Sequence, residues 1–213
     1  MQVGIVGGTG PAGRGLAVRA SRAGHEVRLG SRDATRAEGV AATLRTTPGV
    51  HVVGCANEDA ASSEVVVVAT PWDAVVATLA PLAARLEGTV VVSMANALVR
   101  QGRELVALVP PRGSMAAELQ AALPGARVTA AFHHLPAAEM EDLGSGLLAD
   151  VLVCGDDAVA RRVTCELADS LEGLRAVEAG SLAFAGPIEA FTAVCVSVNV
   201  RYKAHTTVRL EGL

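Results

Sequence analysis

The residues Gln2-Val3-Gly4-Ile5-Val6-Gly7-Gly8-Thr9-Gly10-Pro11-Ala12-Gly13 decide the fold of this chain. Gln2 to Val6 reads as a short buried strand that runs straight into a glycine-rich turn. An amphipathic stretch from Arg14 to Ala23 follows, and a second strand, His25 to Leu29, ends in Gly30-Ser31-Arg32. The GxGxxG spacing falls on Gly8, Gly10 and Gly13. In such a turn the first glycine permits the sharp reversal, the second lets a pyrophosphate approach the backbone, and the third lets the helix lie close to the sheet. Free N–H groups at the start of that helix face the phosphates. A GxGxxG motif that follows a strand and opens a helix predicts a dinucleotide site, with Gly8, Gly10 and Gly13 at its base.

The end of the second strand selects the dinucleotide. A site for NAD places Asp or Glu there to bind the ribose 2′-hydroxyl. This chain has Gly30-Ser31-Arg32, with Arg36 one helical turn further on. One hydroxyl and two guanidinium groups suit a 2′-phosphate, because the arginine fork matches phosphate oxygens. Ser31 or Asp33 also suits the cap of the next helix, and Arg36 suits a solvated helix face. Capping and phosphate binding are compatible, so NADP is expected rather than NAD.

The rest of the chain repeats the alternation. Asp33 to Arg45 reads as a helix and Val50 to Cys55 as a strand. Val65 to Ala69 is a continuous apolar run typical of a strand covered on both faces. Thr70-Pro71-Trp72 breaks it, and Asp73 to Leu86 returns to helical periodicity. Thr89 to Met94 is a fifth strand, Ser114 caps a helix to Leu123, and Arg127 to Phe132 is a sixth strand. Asp150 to Cys154, Ala158 to Leu171 and Arg175 to Glu178 add a β-α-β unit. The expected fold is α/β, a Rossmann-type doubly wound, mostly parallel sheet with a small C-terminal helical segment. Residues 1–180 form the NADP-binding domain in this reading, and residues 181–213 the C-terminal segment. Within that segment Val194, Val196, Val198 and Val200 alternate as in a strand, but Pro187 and the length of the run predict a helix. Being apolar nearly all round, it is expected to be buried, against a second subunit among the options.

Composition narrows the function. The chain has 213 residues and a net charge of −4, which gives no reason to expect a nucleic-acid partner. No basic, apolar leader precedes the first strand, and charge-free runs such as Ala190 to Val200 are short for a membrane span. The cysteines Cys55, Cys154, Cys165 and Cys195 lack metal-ligand spacing and read as buried thiols in a reducing, cytoplasmic setting. Lys203 is the sole lysine and Tyr202, next to it, the sole tyrosine. A Tyr-x-x-x-Lys pair, and with it the short-chain dehydrogenase mechanism, is therefore excluded.

In an open α/β sheet, ligands bind at the carboxyl ends of the strands. Thr70-Pro71-Trp72, Met94-Ala95-Asn96 and His133-His134-Leu135-Pro136-Ala137 land there and are expected to line the groove. Trp72 reads equally as a flat filler under the helix or as a ring contact with ligand. Thr78, on the helix after it, reaches the cofactor or packs. Adjacent histidines in an extended loop point opposite ways, so at most one faces the groove. His133 has three readings: it hydrogen-bonds a substrate carbonyl, acts as a general acid, or satisfies backbone groups. No metal site is expected, because no further Cys or His stands at ligand spacing.

Gly7-Gly8-Thr9-Gly10 with Gly13 and Gly15, Gly24-His25-Glu26-Val27 and Gly30-Ser31-Arg32 resemble the NADPH-dependent reductases of coenzyme F-420 (F420), a deazaflavin. The likeness continues through Asn57-Glu58-Asp59-Ala60, Pro71-Trp72, His133-His134-Leu135-Pro136-Ala137-Ala138 and Val153-Cys154-Gly155-Asp156-Asp157, and on to Glu178-Ala179-Gly180. The resemblance implies that Thr9, Gly10, Pro11 and Ala12 hold the pyrophosphate and that Ser31, Arg32 and Arg36 hold the 2′-phosphate. It implies that F420 stacks on the nicotinamide against His133, Leu135, Pro136 and Ala137, and that hydride passes directly between nicotinamide C4 and deazaflavin C5. It also implies a cytoplasmic homodimer. Arg201, Lys203, His205 and Arg209 read equally as a basic cluster that steers the anionic tail of the deazaflavin or as a solvated basic end. The other readings left open are an NADPH-dependent reductase of a small ketone or imine, with His133 as proton donor, and a non-enzymatic NADP(H) sensor.

Overall fold

The computed structural model describes residues 1–213. Strand β1 (Gln2–Val6) leads into α1 (Pro11–Arg22), β2 (Glu26–Ser31), α2 (Ala34–Leu44), β3 (Val52–Ala56) and the single-turn α3 (Asn57–Ala60). Then come β4 (Val65–Val68), α4 (Val75–Leu79), β5 (Val90–Ser93), a hairpin of β6 (Leu98–Gln101) and β7 (Glu104–Ala107), α5 (Met115–Ala122) and β8 (Arg127–Ala130). The chain finishes with α6 (Ala137–Glu141), β9 (Ala149–Gly155), α7 (Ala158–Ser170), β10 (Leu174–Gly180) and α8 (Ala185–Tyr202). Eight strands form one sheet in the order β10-β9-β8-β5-β4-β1-β2-β3. All neighbours are parallel except β8 and β9. The order reverses direction between β1 and β4, and that switch point is where an open α/β sheet leaves a crevice for ligand.

The valine run explains the layers. Val65 and Val67 pack into the core on one face of the sheet, with Val3, Ile5 and Leu16, while Val66 and Val68 pack into the other, with Leu79, Leu119 and Val128. Side chains alternate across a strand, so a strand covered on both faces must be apolar at every position. This is the Rossmann-type, mostly parallel sheet that the sequence predicts.

Several boundaries differ. The helix expected over residues 73–86 is broken into Trp72–Ala74 (3₁₀), α4 and Ala80–Arg85 (3₁₀). Pro81 lacks an N–H, and its ring clashes with the carbonyl four residues back, so a regular α-helix cannot pass through it. The sixth strand stops at Ala130, and Phe132 takes φ 66°. That left-handed conformation ends the pairing and starts the loop that carries His133.

The C-terminal segment is a helix, as expected, but its burial is one-sided. Ala185, Ile188, Glu189, Thr192 and Cys195 face the protein, while Phe191, Val194 and Val200 are exposed. The expectation that short charge-free runs leave no membrane candidate also needs correction. Leu182–Tyr202 forms a continuous helical stretch of 21 residues, long and apolar enough to cross a membrane by length and composition. Its one carboxylate, Glu189, is only 3% exposed and accepts hydrogen bonds from the N–H groups of Met115 (2.8 Å) and Ala116 (3.1 Å). Ser114 Oγ accepts a third, from Ala117 (3.0 Å). Two side chains thus satisfy the free donors that open α5, and one of them is supplied by α8.

Burial pushes the Glu189 carboxyl up to about 7 from its ordinary 4.5, against the pull of those two N–H groups. The folded chain therefore holds this proton more tightly than the unfolded chain. Its contribution to stability is complete below pH 4.5 and is lost as pH rises through about 7. Glu189→Gln keeps an acceptor for the helix and removes the titration. Thermal midpoints of wild type and Glu189→Gln followed from pH 4.5 to 8 should diverge, with the wild type losing ground as pH rises. Parallel profiles would refute this account.

Candidate functional site

A groove of about 680 Å³ lies at the carboxyl ends of β1, β2, β4 and β5. Its floor is the turn from β1 to α1. Gly7 adopts φ 69°, and its N–H donates to Asn57 Oδ1 at 3.1 Å. Gly8 lies beneath, its N–H donating to the Gly30 carbonyl at 2.9 Å. A Cβ on Gly13 would stand 2.5 Å from the Gly8 carbonyl oxygen, so only glycine allows α1 to approach this closely. A Cβ on Gly10 would meet nothing within 4 Å; its bare backbone faces open space. No side chain caps α1, Pro11 occupies its first turn, and that turn carries no acidic residue. Together these features leave an uncapped positive helix end, with Thr9, Gly10, Pro11 and Ala12 lining the groove.

At one end of the groove stand Ser31, Arg32 and Arg36. Asp33 is the cap of α2, accepting from the N–H groups of Thr35 (2.9 Å) and Arg36 (3.2 Å). Ser31 Oγ accepts from the Asp33 N–H at 3.2 Å, which leaves the serine proton free to donate. Neither arginine makes an ion pair, whereas Arg14, Arg45, Arg161 and Arg175 all do. Both readings of this corner thus hold together: Asp33 caps, and the two guanidinium groups remain available.

The other wall is built from Thr70, Trp72, Thr78, Met94, Ala95, Asn96 and Leu98. Thr70 Oγ1 is buried without a hydrogen-bond partner. The Trp72 indole N–H donates to the Leu98 carbonyl at 3.0 Å, so this ring both lines the groove and holds the base of the β6–β7 hairpin. Sequence reasoning missed that hairpin and did not single out Asn57, which closes the groove at the end of β3. The available signal for Asn57 was its position at the end of a parallel strand beside the glycine turn.

The loop 133–137 is placed differently from the other candidates. His133, Leu135, Pro136 and Ala137 are not among the residues that line the groove. The His133 ring is enclosed, with no partner for Nδ1 or Nε2. Burial, with His134 beside it, pushes His133 down to about 3, so it is neutral. Its carbonyl accepts from Asn96 Nδ2 (3.1 Å), and the single proton of the Thr192 hydroxyl is shared between that carbonyl (3.2 Å) and Asn96 Oδ1 (3.1 Å). His134 Nε2 donates to the Asp150 carbonyl at 2.8 Å. Leu135, Pro136 and Ala137 are half-buried, and Pro136 precedes α6, its carbonyl accepting from the Met140 N–H at 3.0 Å. This loop supports the wall that carries Asn96. Burial raises the thiols as well, Cys154 to about 12 and Cys165 to about 11, which leaves both unreactive.

Comparison with known proteins is consistent along the whole chain. The family model described as NADP oxidoreductase, coenzyme F420-dependent, matches residues 2–97. The chain is 34% identical over 224 aligned residues to the F420-dependent NADP reductase of Methanocaldococcus jannaschii, covering 100% of this chain and 99% of the relative. It is 33% identical to the F420-dependent NADP reductase of Methanothermobacter thermautotrophicus, covering 100% and 96%. The crystal structure of a candidate F420-dependent NADP-reductase from Arthrobacter sp. FB24 superposes with a TM-score of 0.82 at 26% identity, over 99% of this chain and 100% of that one.

The Thr192 hydroxyl is the one group that joins α8 to both Asn96 and the His133 carbonyl. Thr192→Val, nearly the same shape, leaves those acceptors short of a donor in a buried place. It should lower the unfolding free energy by about 1–3 kcal/mol in urea titrations, and Thr192→Ser should recover most of the loss. A valine variant as stable as wild type would show that this hydroxyl does not hold the wall.

Proposed function

This chain belongs to the F420-dependent NADP reductase family, and from that premise we infer that it is an oxidoreductase acting between NADP(H) and coenzyme F420. When both are bound, nicotinamide C4 and deazaflavin C5 are the two ends of the hydride transfer. No bond to the protein would form: one hydride would pass from ring to ring, and reduction of the deazaflavin would also take up one proton from solvent, so the work of the protein is to bind and orient the two rings.

The groove suits the dinucleotide on its own terms. The uncapped start of α1 and the open approach at Gly10 suit a pyrophosphate held by Thr9, Gly10, Pro11 and Ala12. Gly8 and Gly13 shape the turn beneath it. The unpartnered Thr70 hydroxyl offers a hydrogen bond inside the groove. Ser31, Arg32 and Arg36 would hold the 2′-phosphate, and the observation that carries NADP over NAD is that both guanidinium groups face the groove without an ion-pair partner. Thr70, Trp72 and Thr78 would orient the nicotinamide end. His133, with Leu135, Pro136 and Ala137, would set the wall against which the deazaflavin lies. A ketone or imine reductase using His133 as acid is disfavoured, because the ring is enclosed and neutral.

The remaining features of the reading are a cytoplasmic homodimer, with residues 1–180 as the dinucleotide domain and 181–213 as the subunit contact. The exposed Phe191, Val194 and Val200 of α8 support such a contact. The proposed partners are the two small molecules and a second copy of the chain, with no nucleic acid or membrane.

The test mixes purified protein with NADPH and oxidised F420 and follows the deazaflavin's visible absorbance. Bleaching is expected with NADPH and much slower with NADH. Arg32→Ala should raise the NADPH KM by about 10- to 100-fold, the value of a charge-assisted hydrogen bond, and leave the NADH KM within about twofold. NADPH binding without bleaching would overturn the reading.

A further inference from the structure

One buried side chain in the groove has both of its hydrogen-bond donors unused. Asn57 is 5% exposed and lines the groove at the end of β3. Its Oδ1 accepts from the Gly7 N–H at 3.1 Å and so holds the residue whose left-handed backbone begins the phosphate turn. Its Nδ2 donates to no protein group, and it is not sealed in the core. The amide sits beside the end of β2: Ser31 is in register with Ala56, the residue before Asn57, and Asn57 Oδ1 lies 2.9 Å from where a Gly30 Cβ would stand. Arg32 follows Ser31 directly after β2 ends.

Holding the Gly7 N–H requires only an acceptor, which a carboxylate would supply more strongly. A neutral amide at this place adds two donors pointing the other way. The groove asks for donors at this corner, because a carboxylate here would repel a phosphate. Resting on the NADP reading above, we propose that Asn57 is a selectivity determinant. Its carbonyl oxygen locks the phosphate turn, and its amide N–H donates to the 2′-phosphate held by Ser31, Arg32 and Arg36.

Asn57→Asp separates the two roles, because it retains the acceptor for Gly7 and replaces the donor with a negative oxygen. Binding can be read without turnover from the fluorescence of Trp72, the sole tryptophan, which lines the same groove. Asn57→Asp is expected to weaken NADPH binding by roughly 30-fold or more and NADH binding by no more than about twofold. Asn57→Ala, which adds no charge, should lose about fivefold more affinity for 2′,5′-ADP than for 5′-ADP. That second measurement probes the corner without the nicotinamide, should the aspartate variant fold poorly. A purely structural role would weaken NADPH and NADH in equal proportion in both variants, and that result overturns the proposal. NADPH affinity unchanged in Asn57→Asp overturns it too. A wild-type protein with no preference for NADPH over NADH would instead sink the parent reading, and the proposal with it.

Discussion

Everything in this molecule that bears on ligand depends on how closely α1 approaches the end of β1. Gly13 lies against the backbone of Gly8, where even one methyl group would collide, and this contact aims the uncapped helix start at the groove. The same helix governs the opposite wall. Gly15 sits against Met140, where a Cβ would stand 2.6 Å from the methionine Cβ. Arg19, 3% exposed, donates to the carbonyls of Glu139, Met140, Asp142 and Glu172 and to the Ser145 hydroxyl. Burying a guanidinium costs several kcal/mol unless its donors are all engaged, and burial does pull Arg19 down from its usual range. A charge so placed fixes the segment 139–145 against α1, and with it the loop that carries His133. One helix therefore sets both the groove floor and the support behind Asn96.

Electrostatics divides the arginines by task. Arg14, Arg45, Arg161 and Arg175 meet carboxylates, and Arg19 meets carbonyls. The Arg175–Asp150 pair joins β10 to β9 and, through the Leu210 N–H on Asp150, also fastens the chain after α8. Arg32 and Arg36 have neither kind of partner, although the chain carries more acidic than basic residues. Carboxylates are available but are not placed there. The groove thus carries uncompensated positive charge in two places, the pair of guanidinium groups and the uncapped helix start.

The legible parts of the fold were those whose signal is local. Glycine spacing, the Val65–Val68 run and the Ser114 and Asp33 caps depend on neighbours within a few residues, and each was placed to within one or two positions. The parts that were not legible depend on distant partners. Residues 98–107 carry no strand signal in the sequence, because Arg100, Gln101, Arg103 and Glu104 hide the pairing of Leu98 with Ala107. The loop at His133 reads as a groove wall because it follows a strand end, but the left-handed Phe132 turns the chain so that the histidine ring is enclosed. Backbone strain of about 1–3 kcal/mol at a bulky residue is tolerated only where surrounding packing enforces it, and no pattern in the sequence announces such packing. Asn57 escaped for a related reason: its significance lies in Gly7, fifty residues away in the chain.

The C-terminal helix shows how a segment outside the groove still determines its shape. Glu189 and Thr192 are three residues apart and therefore share a face of α8. Glu189 closes the start of α5, and Thr192 holds Asn96, because its hydroxyl proton lies between Asn96 Oδ1 and the His133 carbonyl while Asn96 Nδ2 donates to that same carbonyl. Sliding α8 along its axis by one residue, about 1.5 Å, would break both contacts at once and free Asn96 to turn. The apolar opposite face, with Phe191 and Val194, is thus backed by a polar face anchored at Glu189 and Thr192. Covering that apolar face with a second copy of the chain would restrain the helix further, and through Thr192 it would restrain the groove wall at Asn96. The exposed face of α8 and the groove wall at Asn96 are joined in this fold by the Thr192 hydroxyl.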